Sequence, residues 1–387
     1  MDYKGVLSAL DGLSKRGINF GLERTRALLD GLGSPDKKLK IVHIAGTNGK
    51  GSTAEYVGNV LTAAGKKTGI FTSPEVYGYL AQFRIDGENI SKELFCEGFS
   101  RALDLAETAY GEATRFEVET AAALYCFYLA GCGYAVVECG LGGRYDATNA
   151  ISGKEIALIT SISLEHTAVL GGDIPSICSH KAGIIKNCPA IISGCVKGEA
   201  REYFKRLGAD FAEKLDLSGY NVNLSEAQAY NAGLAAAAAR ALKIDENAIY
   251  SGVCNAKPAG RVEVIRRGAT YILDGAHNPE AFAPLCEYLK NIEKDNLTVI
   301  FGCLADKDIG GNLRALSEVA DCIIAVECPS PRALPLEKTL EECKKYFRYC
   351  GSAPSVAEAI IKTETAFVAV CGSFTLLKEA KNWIEKE

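Results

Sequence analysis

Short apolar runs alternate with stretches of helical periodicity along most of the chain. Residues 41–45, 134–138 and 156–162 have the length and composition of buried strands, whereas residues 225–242 carry the alanine-rich periodicity of a helix. Strands that are apolar on both faces and alternate with helices are typical of a parallel, doubly wound sheet. The pattern therefore predicts an α/β fold.

The length of the chain and a second series of alternating strands and helices predict two domains. A chain of 387 residues exceeds what one hydrophobic core usually supports. Periodicity is lost near residues 255–260, and strand-like runs then resume at 270–273, 297–301, 322–326 and 366–370. We expect an N-terminal domain over residues 1–256, with a P-loop and a doubly wound, mostly parallel sheet, and a smaller Rossmann-like α/β domain over residues 257–387.

Composition excludes several partners. The 43 basic and 48 acidic residues give a net charge of −5, so nothing global indicates nucleic acid or an anionic membrane as a partner. Residues 121–137 lack charge, but this span is shorter than the roughly 20 residues of a membrane helix, and Gly-Cys-Gly at 131–133 divides it into a helix and a strand. The 15 cysteines form no C-x-x-C pair and residues 1–5 begin no apolar targeting segment, so we expect a cytoplasmic protein with reduced thiols.

A candidate phosphate site follows the first strand. The run 41–45 ends at Gly-Thr-Asn-Gly-Lys-Gly-Ser, residues 46–52. Glycines let backbone N–H groups turn towards an anion, and a helix that starts here adds its positive end. The strict P-loop pattern is not met, because Gly51 separates Lys50 from Ser52. A glycine-rich turn with a solvated lysine remains the alternative.

Polar side chains also follow other predicted strands. Lys50, Ser73, Glu138 and His166 each stand just after a different one. In doubly wound sheets, ligands bind beyond the carboxyl ends of the strands, so these four residues indicate one site. Asp-Gly-Ala-His-Asn-Pro at 274–279 repeats the arrangement in the second domain. Taken singly, each residue is also compatible with a surface or capping role.

Four motifs carry a family resemblance. They are residues 46–52, Glu-Cys-Gly-Leu-Gly-Gly-Arg-Tyr-Asp-Ala-Thr-Asn at 138–149, Lys-Ala-Gly-Ile-Ile-Lys at 181–186, and residues 274–279. Together, over essentially the whole chain, they resemble the folylpolyglutamate synthase/dihydrofolate synthase family of the Mur ligase superfamily. The resemblance implies that ATP phosphorylates a carboxylate of folate or dihydropteroate. L-glutamate then attacks the acyl phosphate, and ADP and phosphate are released.

The resemblance also implies roles for individual residues, with ATP and Mg²⁺ as the bound groups and a monomer as the working form. Catalytic roles fall on Lys50, Lys181 and His277. The nucleotide contacts would be Thr47, Asn48, Gly49, Lys50, Gly51, Ser52, Asn231, Arg261 and Asp274. The magnesium ligands would be Ser73, Glu138, His166 and Lys181. The pterin contacts would be Thr114, Arg115, Phe116, Glu117, Tyr145, Asp146 and Ala147.

Three of these roles have a chemical reason. The resemblance implies that Lys181 is the family lysine that carbon dioxide carbamylates to a metal-binding carboxylate; a free lysine is cationic and would repel Mg²⁺. Phe116 would stack on the pterin ring, and Asp146 would accept hydrogen bonds from it.

Departures from the family pattern and other functions are also considered. Glu165 precedes His166 where the family often has Asp, and His180 precedes Lys181 where it often has Glu. Lys-Pro-Ala-Gly-Arg stands at 257–261 where the family often has a Trp-Pro-Gly-Arg-like turn. These departures concern fine substrate contacts more than the reaction. We expect a bifunctional enzyme. A monofunctional folylpolyglutamate synthase and a non-catalytic ATP-binding regulator remain the alternatives, and a murein peptide ligase is less favoured.

Overall fold

The chain folds into two compact units. A computed structural model describes residues 1–17, 19–108, 112–220, 222, 224–292 and 296–386. The first unit comprises Met1–Pro74 and Leu80–Ala256, and the second comprises Lys257–Glu387 together with Glu75–Tyr79. The sequence analysis had placed residues 75–79 in the first domain. They group with the second unit, where the Tyr77 hydroxyl hydrogen-bonds Glu263 and Lys381 Nζ lies 4.1 Å from the centre of the Tyr77 ring.

The first unit is built on a mostly parallel sheet. In the described residues its strands are β1 Lys40–Ala45, β2 Thr68–Phe71, β3 Phe83–Ile85, β4 Glu88–Asn89, β5 Tyr134–Glu138, β6 Lys154–Ile159, β7 Ala190–Ser193 and β8 Asp210–Ala212. They are ordered β4-β3-β2-β5-β1-β6-β7-β8. The pairings from β2 to β8 are parallel, whereas β3 and β4 pair antiparallel at one edge. The doubly wound sheet expected from the sequence is confirmed.

Helices of the first unit connect these strands. They are α1 Tyr3–Ser14, α2 Glu23–Gly31, α3 Lys50–Ala63, α4 Lys92–Thr108, α5 Arg115–Leu129, α6 Thr167–Leu170, α7 Ile174–Ala182, α8 Gly198–Arg206, α9 Glu226–Ala241 and α10 Glu246–Asn255. Short 3₁₀ turns occupy Pro35–Lys38, Tyr79–Gln82 and Ala147–Ala150. The uncharged span 121–137 proves to be the end of α5 followed by β5, and no helix in the described ranges could cross a membrane.

The second unit is a smaller sheet of the same kind. Its strands are β9 Glu263–Arg267, β10 Ala269–Leu273, β11 Leu297–Phe301, β12 Cys322–Ala325, β13 Tyr349–Ser352 and β14 Phe367–Cys371. Its helices are α11 Pro279–Asn291, α12 Ile309–Ser317, α13 Leu336–Cys343, α14 Val356–Ile361 and α15 Phe374–Lys386. The order is β13-β12-β11-β14-β10-β9, with β9 antiparallel to β10. The Rossmann-like prediction is confirmed.

Close helix packing covers one face of the first sheet. Helix α3 contacts both α9 and α10, and buried alanines of α9 let it lie close. The approach of α10 to α3 is closest at Gly252, where an added Cβ would lie 2.4 Å from Val60 Cα. Because that neighbour is backbone, it cannot move aside by changing rotamer. The position of α3, which begins at the candidate phosphate loop, therefore depends on a glycine in α10.

Gly252→Ala should lower the free energy of unfolding by about 1–3 kcal/mol, because the methyl group forces α10 away from α3. Urea denaturation measures this change. Gly12→Ala in α1 is the matched control, since an added Cβ there meets nothing within 4 Å, and it should raise stability by about 0.5–1 kcal/mol. Equal effects of the two substitutions would contradict the packing argument.

Candidate active site

The loop between β1 and α3 has a shape that requires glycine. Gly46 and Gly49 have φ of 153° and 85°. An added Cβ would lie 1.9 Å from Thr160 Oγ1 at Gly46 and 2.5 Å from Asn231 Oδ1 at Gly49. The second contact brings Asn231, on α9, against the loop that the sequence identified. Backbone conformation and space both exclude larger residues here.

Residues after β6 hold this loop in place. Thr47 N–H donates to Ser161 O at 2.9 Å, and Thr160 Oγ1 donates to Asn48 O at 2.6 Å. Ser163 N–H donates to Thr47 Oγ1 at 3.1 Å. Thr160, Ser161 and Ser163 were not predicted as site residues. They could have been identified from the sequence as a group of hydroxyl side chains that directly follows a buried strand.

The first turn of α3 presents unused hydrogen-bond donors. The N–H groups of Gly49, Lys50, Gly51 and Ser52 have no acceptor among the described residues. Thr53 N–H, which donates to Gly49 O, begins the helical pattern. The Lys50 ammonium donates to Thr47 O at 3.1 Å, so it stays beside the loop. Free N–H groups, a lysine and the helix dipole together form an anion site.

Polar groups from neighbouring strands meet at the same edge. Strands β2, β5, β1 and β6 are adjacent and parallel, so their carboxyl ends lie side by side. Ser73 N–H donates to Glu138 Oε2 at 3.2 Å, and an added Cβ on Gly51 would lie 3.4 Å from that oxygen. Glu138 is only 4% exposed. Ser73, Glu138 and the first turn of α3 therefore form one cluster.

His166 is placed differently from Glu138. Its side chain is 40% exposed, and its Nε2 lies 3.9 Å from Glu165 Oε1. Across the described part of the chain, no three His, Cys, Asp or Glu side chains converge as a metal site. A metal here would need oxygens from Ser73, from the substrates or from a modified lysine. Glu138, a buried carboxylate beside a hydroxyl residue, is a donor that suits a hard cation such as Mg²⁺.

Lys181 is a buried lysine at the end of α7. It is 3% exposed, and no hydrogen bond or ion pair to another described residue engages its Nζ. Burial, with the charge of Lys50 as a second cause, lowers the pKa of Lys181 to about 7. Near neutral pH a substantial fraction of the amine is therefore uncharged and nucleophilic, as reaction with carbon dioxide requires.

The predicted pterin residues at the start of α5 make contacts within the protein. Thr114 and Glu117 form a capping box, and Glu117 also pairs with Arg24 at 2.9 Å. Arg115 Nε donates to Glu119 at 2.6 Å. Phe116 is half-buried, with its ring 5.8 Å from that of Phe71. Among these residues, Phe116 is the one whose chemistry suits a flat ring.

The predicted pterin residues of the 138–149 motif divide into exposed and buried ones. Tyr145 is 49% exposed, and its ring lies 6.4 Å from that of Phe20. Ala147 is buried. Asp146 accepts from Leu141 N–H at 2.8 Å, from Thr148 N–H at 3.0 Å and from the Thr148 hydroxyl. Asp146 thus shapes its own loop, and its direct contact with a pterin stays a prediction.

In the second unit, the 274–279 motif forms a compact turn. Buried Asp274 accepts from Val262 N–H at 2.8 Å and Ala276 N–H at 2.7 Å, and burial raises its pKa although nearby Arg261 opposes the shift. Arg261 lies over the Phe374 ring at 4.7 Å. His277 Nδ1 hydrogen-bonds Gly275 O at 2.8 Å.

Comparisons with known proteins first define the class. Residues 44–212 match the Mur ligase middle domain, and residues 260–374 match the Mur ligase glutamate ligase domain. These regions contain the phosphate loop, Glu138 and Lys181 in one case and the 274–279 motif in the other. The chain therefore has the two catalytic domains of a Mur-type ligase.

Whole-chain similarity is more specific. The dihydrofolate synthase/folylpolyglutamate synthase of Escherichia coli is 34% identical over 95% of this chain and 92% of its own length. A Haloferax volcanii protein named probable bifunctional folylpolyglutamate synthase/dihydropteroate synthase is 35% identical over 84% of this chain, but the match spans 43% of that protein. The chain belongs to the dihydrofolate synthase/folylpolyglutamate synthase family.

Solved structures agree with this assignment. Mycobacterium tuberculosis folylpolyglutamate synthase, complexed with ADP and AMPPCP, has a TM-score of 0.88 and 29% identity over 100% of both chains. A bifunctional folylpolyglutamate synthase/dihydrofolate synthase with Mn, AMPPNP and L-glutamate bound has a TM-score of 0.84 and 28% identity over 98% of both chains. The family resemblance and the fold class inferred from sequence are confirmed.

Replacement of Lys181 by methionine should stabilise the protein, most strongly at pH 7 and below. The unfolded lysine titrates near 10.5 and the folded one near 7, so the unfolded state binds more protons between these values and wild-type stability rises with pH in that window. In buffer free of carbon dioxide, metal and nucleotide, Lys181→Met should raise the free energy of unfolding by about 2–4 kcal/mol at pH 7.

This gain should shrink as the pH approaches about 10. Urea titrations across the range measure it, with exposed Lys4→Met as the control. A Lys181→Met protein that keeps the wild-type pH slope would show that Lys181 does not titrate in this window.

Proposed function

We propose that this protein is an ATP-dependent ligase that joins L-glutamate to the glutamate carboxylate of a folate and also to dihydropteroate. The observation that carries the proposal is the cluster in which free N–H groups of α3 lie beside Ser73 and buried Glu138. Membership of the family, whose named members carry out these syntheses, supports the choice of substrates. Both activities in one chain define the bifunctional form.

The residues present fit an acyl-phosphate route. The N–H groups of Gly49 to Ser52 and the Lys50 ammonium would hold the phosphates of ATP while a substrate carboxylate oxygen attacks the terminal phosphorus. ADP leaves, and a carbonyl-activated acyl phosphate remains. The uncharged amino group of glutamate then attacks the carbonyl carbon, the amide bond forms as the C–O bond to phosphate breaks, and the amine gives up a proton.

We propose Mg²⁺ as the divalent cation, held by Ser73, Glu138 and His166. When bound, Mg²⁺ supplies positive charge that neutralises the transferring phosphoryl group. Glu138 fits best, because it is a buried carboxylate with one oxygen already oriented by Ser73 N–H. His166 is more exposed and lies in its own turn, with φ of 51°.

We also propose that Lys181 is carbamylated and lies among the metal-binding groups. Its Nζ is buried near the positive charge of Lys50 and has a lowered pKa, so the neutral amine is available to attack carbon dioxide. The reaction forms an N–C bond and releases one proton, and the product carries a negative charge. A charge that repels both Lys50 and a cation is thereby replaced by one that attracts them.

Further contacts are proposed from the family motifs. Thr47, Asn48, Asn231, Arg261 and Asp274 would contact the nucleotide. His277 would bind phosphate or carboxylate. The pterin would be contacted by Thr114, Arg115, Phe116, Glu117, Tyr145, Asp146 and Ala147. All 15 cysteines are free thiols, which supports a cytoplasmic protein, and a monomer is proposed as the working form.

Turnover with defined substrates tests the function. Purified protein, ATP, MgCl₂ and L-glutamate should release phosphate and yield the glutamylated product by mass with either dihydropteroate or tetrahydrofolate. Turnover with tetrahydrofolate alone would select the monofunctional synthase. Nucleotide binding without turnover of either pterin would favour a regulator and overturn the ligase proposal. Lys50→Met is the inactive control for contaminating ligase activity.

Glu138→Gln should raise the Mg²⁺ concentration needed for half-maximal activity by about tenfold or more, because a neutral amide is a poor ligand for a hard cation. The amide oxygen can still accept the Ser73 N–H bond, so the local fold is preserved. Glu155→Gln, an exposed residue of β6, is the control. An unchanged magnesium titration in Glu138→Gln would remove Glu138 from the metal site.

A further inference from the structure

The loop that contains Tyr145 is joined to the end of α7 through one asparagine. Asn149 Nδ2 donates to Arg144 O at 2.9 Å and to Gly183 O at 3.0 Å. The first acceptor belongs to the loop, and the second lies directly after the helix that carries Lys181. One side-chain amide therefore joins the two segments.

A buried lysine completes this connection. Lys154, at the start of β6, is 9% exposed, and its Nζ donates to Asn149 Oδ1 at 2.6 Å and to Ile184 O at 3.0 Å. Carbonyl groups past a helix C-terminus attract a cation, so the ammonium binds α7 at its negative end. The same ammonium fixes the orientation of the Asn149 amide, because its Oδ1 must face Lys154.

The two segments also touch backbone to backbone. An added Cβ on Gly183 would lie 2.5 Å from Arg144 Cβ, and one on Gly143 would lie 2.8 Å from His180 O. Arg144 N–H donates to that same His180 oxygen at 2.7 Å. Since there is no free space between the segments, a shift of residues 183–184 must move the preceding turn, which includes Lys181.

We infer that Lys154 is a positioning residue for Lys181: through Ile184 O and Asn149 it fixes the last turn of α7, and with it the direction of the Lys181 side chain. This inference rests on the proposed carbamylation of Lys181. It adds a residue outside the four motifs, at the start of β6, to the machinery of ligation.

The chain offers a matched control in Lys186. Its Nζ also bonds Asn149, but at the backbone oxygen, at 2.9 Å, and in the described residues it makes no bond to the carbonyls of residues 183 and 184. Both lysines are thus near the same asparagine with the same charge. Of these two lysines, Lys154 is the one whose ammonium bonds both the Asn149 side chain and the Ile184 carbonyl after α7.

The test is Lys154→Met, which keeps the apolar stem and removes the donors. With ¹³C-labelled bicarbonate and no ATP or metal, wild-type protein should show a protein-bound carbamate ¹³C resonance that Lys181→Ala lacks. Lys154→Met should lose most of this signal and show a kcat about ten- to hundredfold lower, with the KM for ATP little changed. Lys186→Met should retain both the signal and kcat, and Lys154→Arg should restore part of each.

The outcomes separate this inference from the proposals on which it depends. The carbamate resonance needs no pterin, so it can be read even if the substrate assignment fails. A wild-type protein without the resonance would overturn both the carbamylation and the positioning role. A wild-type resonance that persists in folded Lys154→Met with unchanged kcat would overturn the positioning role alone. If Lys154→Met does not fold, Lys154→Gln, which keeps an N–H donor on a shorter chain, is measured against the same criteria.

Discussion

Four adjacent parallel strands end at one edge of the first sheet, and the candidate site depends on that alignment. The loop after β1, Ser73 after β2, Glu138 at the end of β5 and the hydroxyl residues after β6 come from distant parts of the sequence. Each of these residues lies within a few positions of a strand end, so none depends on a long loop for its position. The cluster is therefore positioned mainly by the backbone pairing of the sheet.

The charged side chains at this edge of the sheet suit a bound ligand, and without one the buried positive charges lower stability. Glu138 lies beside the first turn of α3, where a negative charge is stabilised by the helix dipole. Lys181, in contrast, is buried, and its pKa is lowered by that burial first and by the positive charge of Lys50 second. A buried lysine whose amine has no partner among the described residues, and whose pKa is lowered by burial, is typical of a functional residue. Carbamylation would turn this repulsion into attraction.

Sequence patterns predicted the elements whose residues are apolar because they are buried. Most central strands are apolar on both faces and were predicted, although the buried strand β7 was not. The edge strands β4, β9 and β13 are polar or half-exposed and gave no such signal. Lys50, Ser73, Glu138 and the 274–279 motif were identified because each stands at or just after the end of a predicted strand. Lys154 could not be found in this way, because a lysine between glycine and glutamate resembles a surface turn, and its burial depends on contacts with residues 149 and 184.

The 138–149 motif contributes both to the proposed metal site and to the proposed pterin site. Its first residue, Glu138, lies at the proposed metal site, and Tyr145 presents an exposed ring on the proposed pterin side. After them, the Asp146 side chain hydrogen-bonds within the loop, and Asn149 hydrogen-bonds both the loop and the residue after α7. A pterin that displaced this loop would therefore also move the turn that carries Lys181. Under the proposed function, we therefore expect pterin binding and the direction of the Lys181 side chain to be coupled through this short segment.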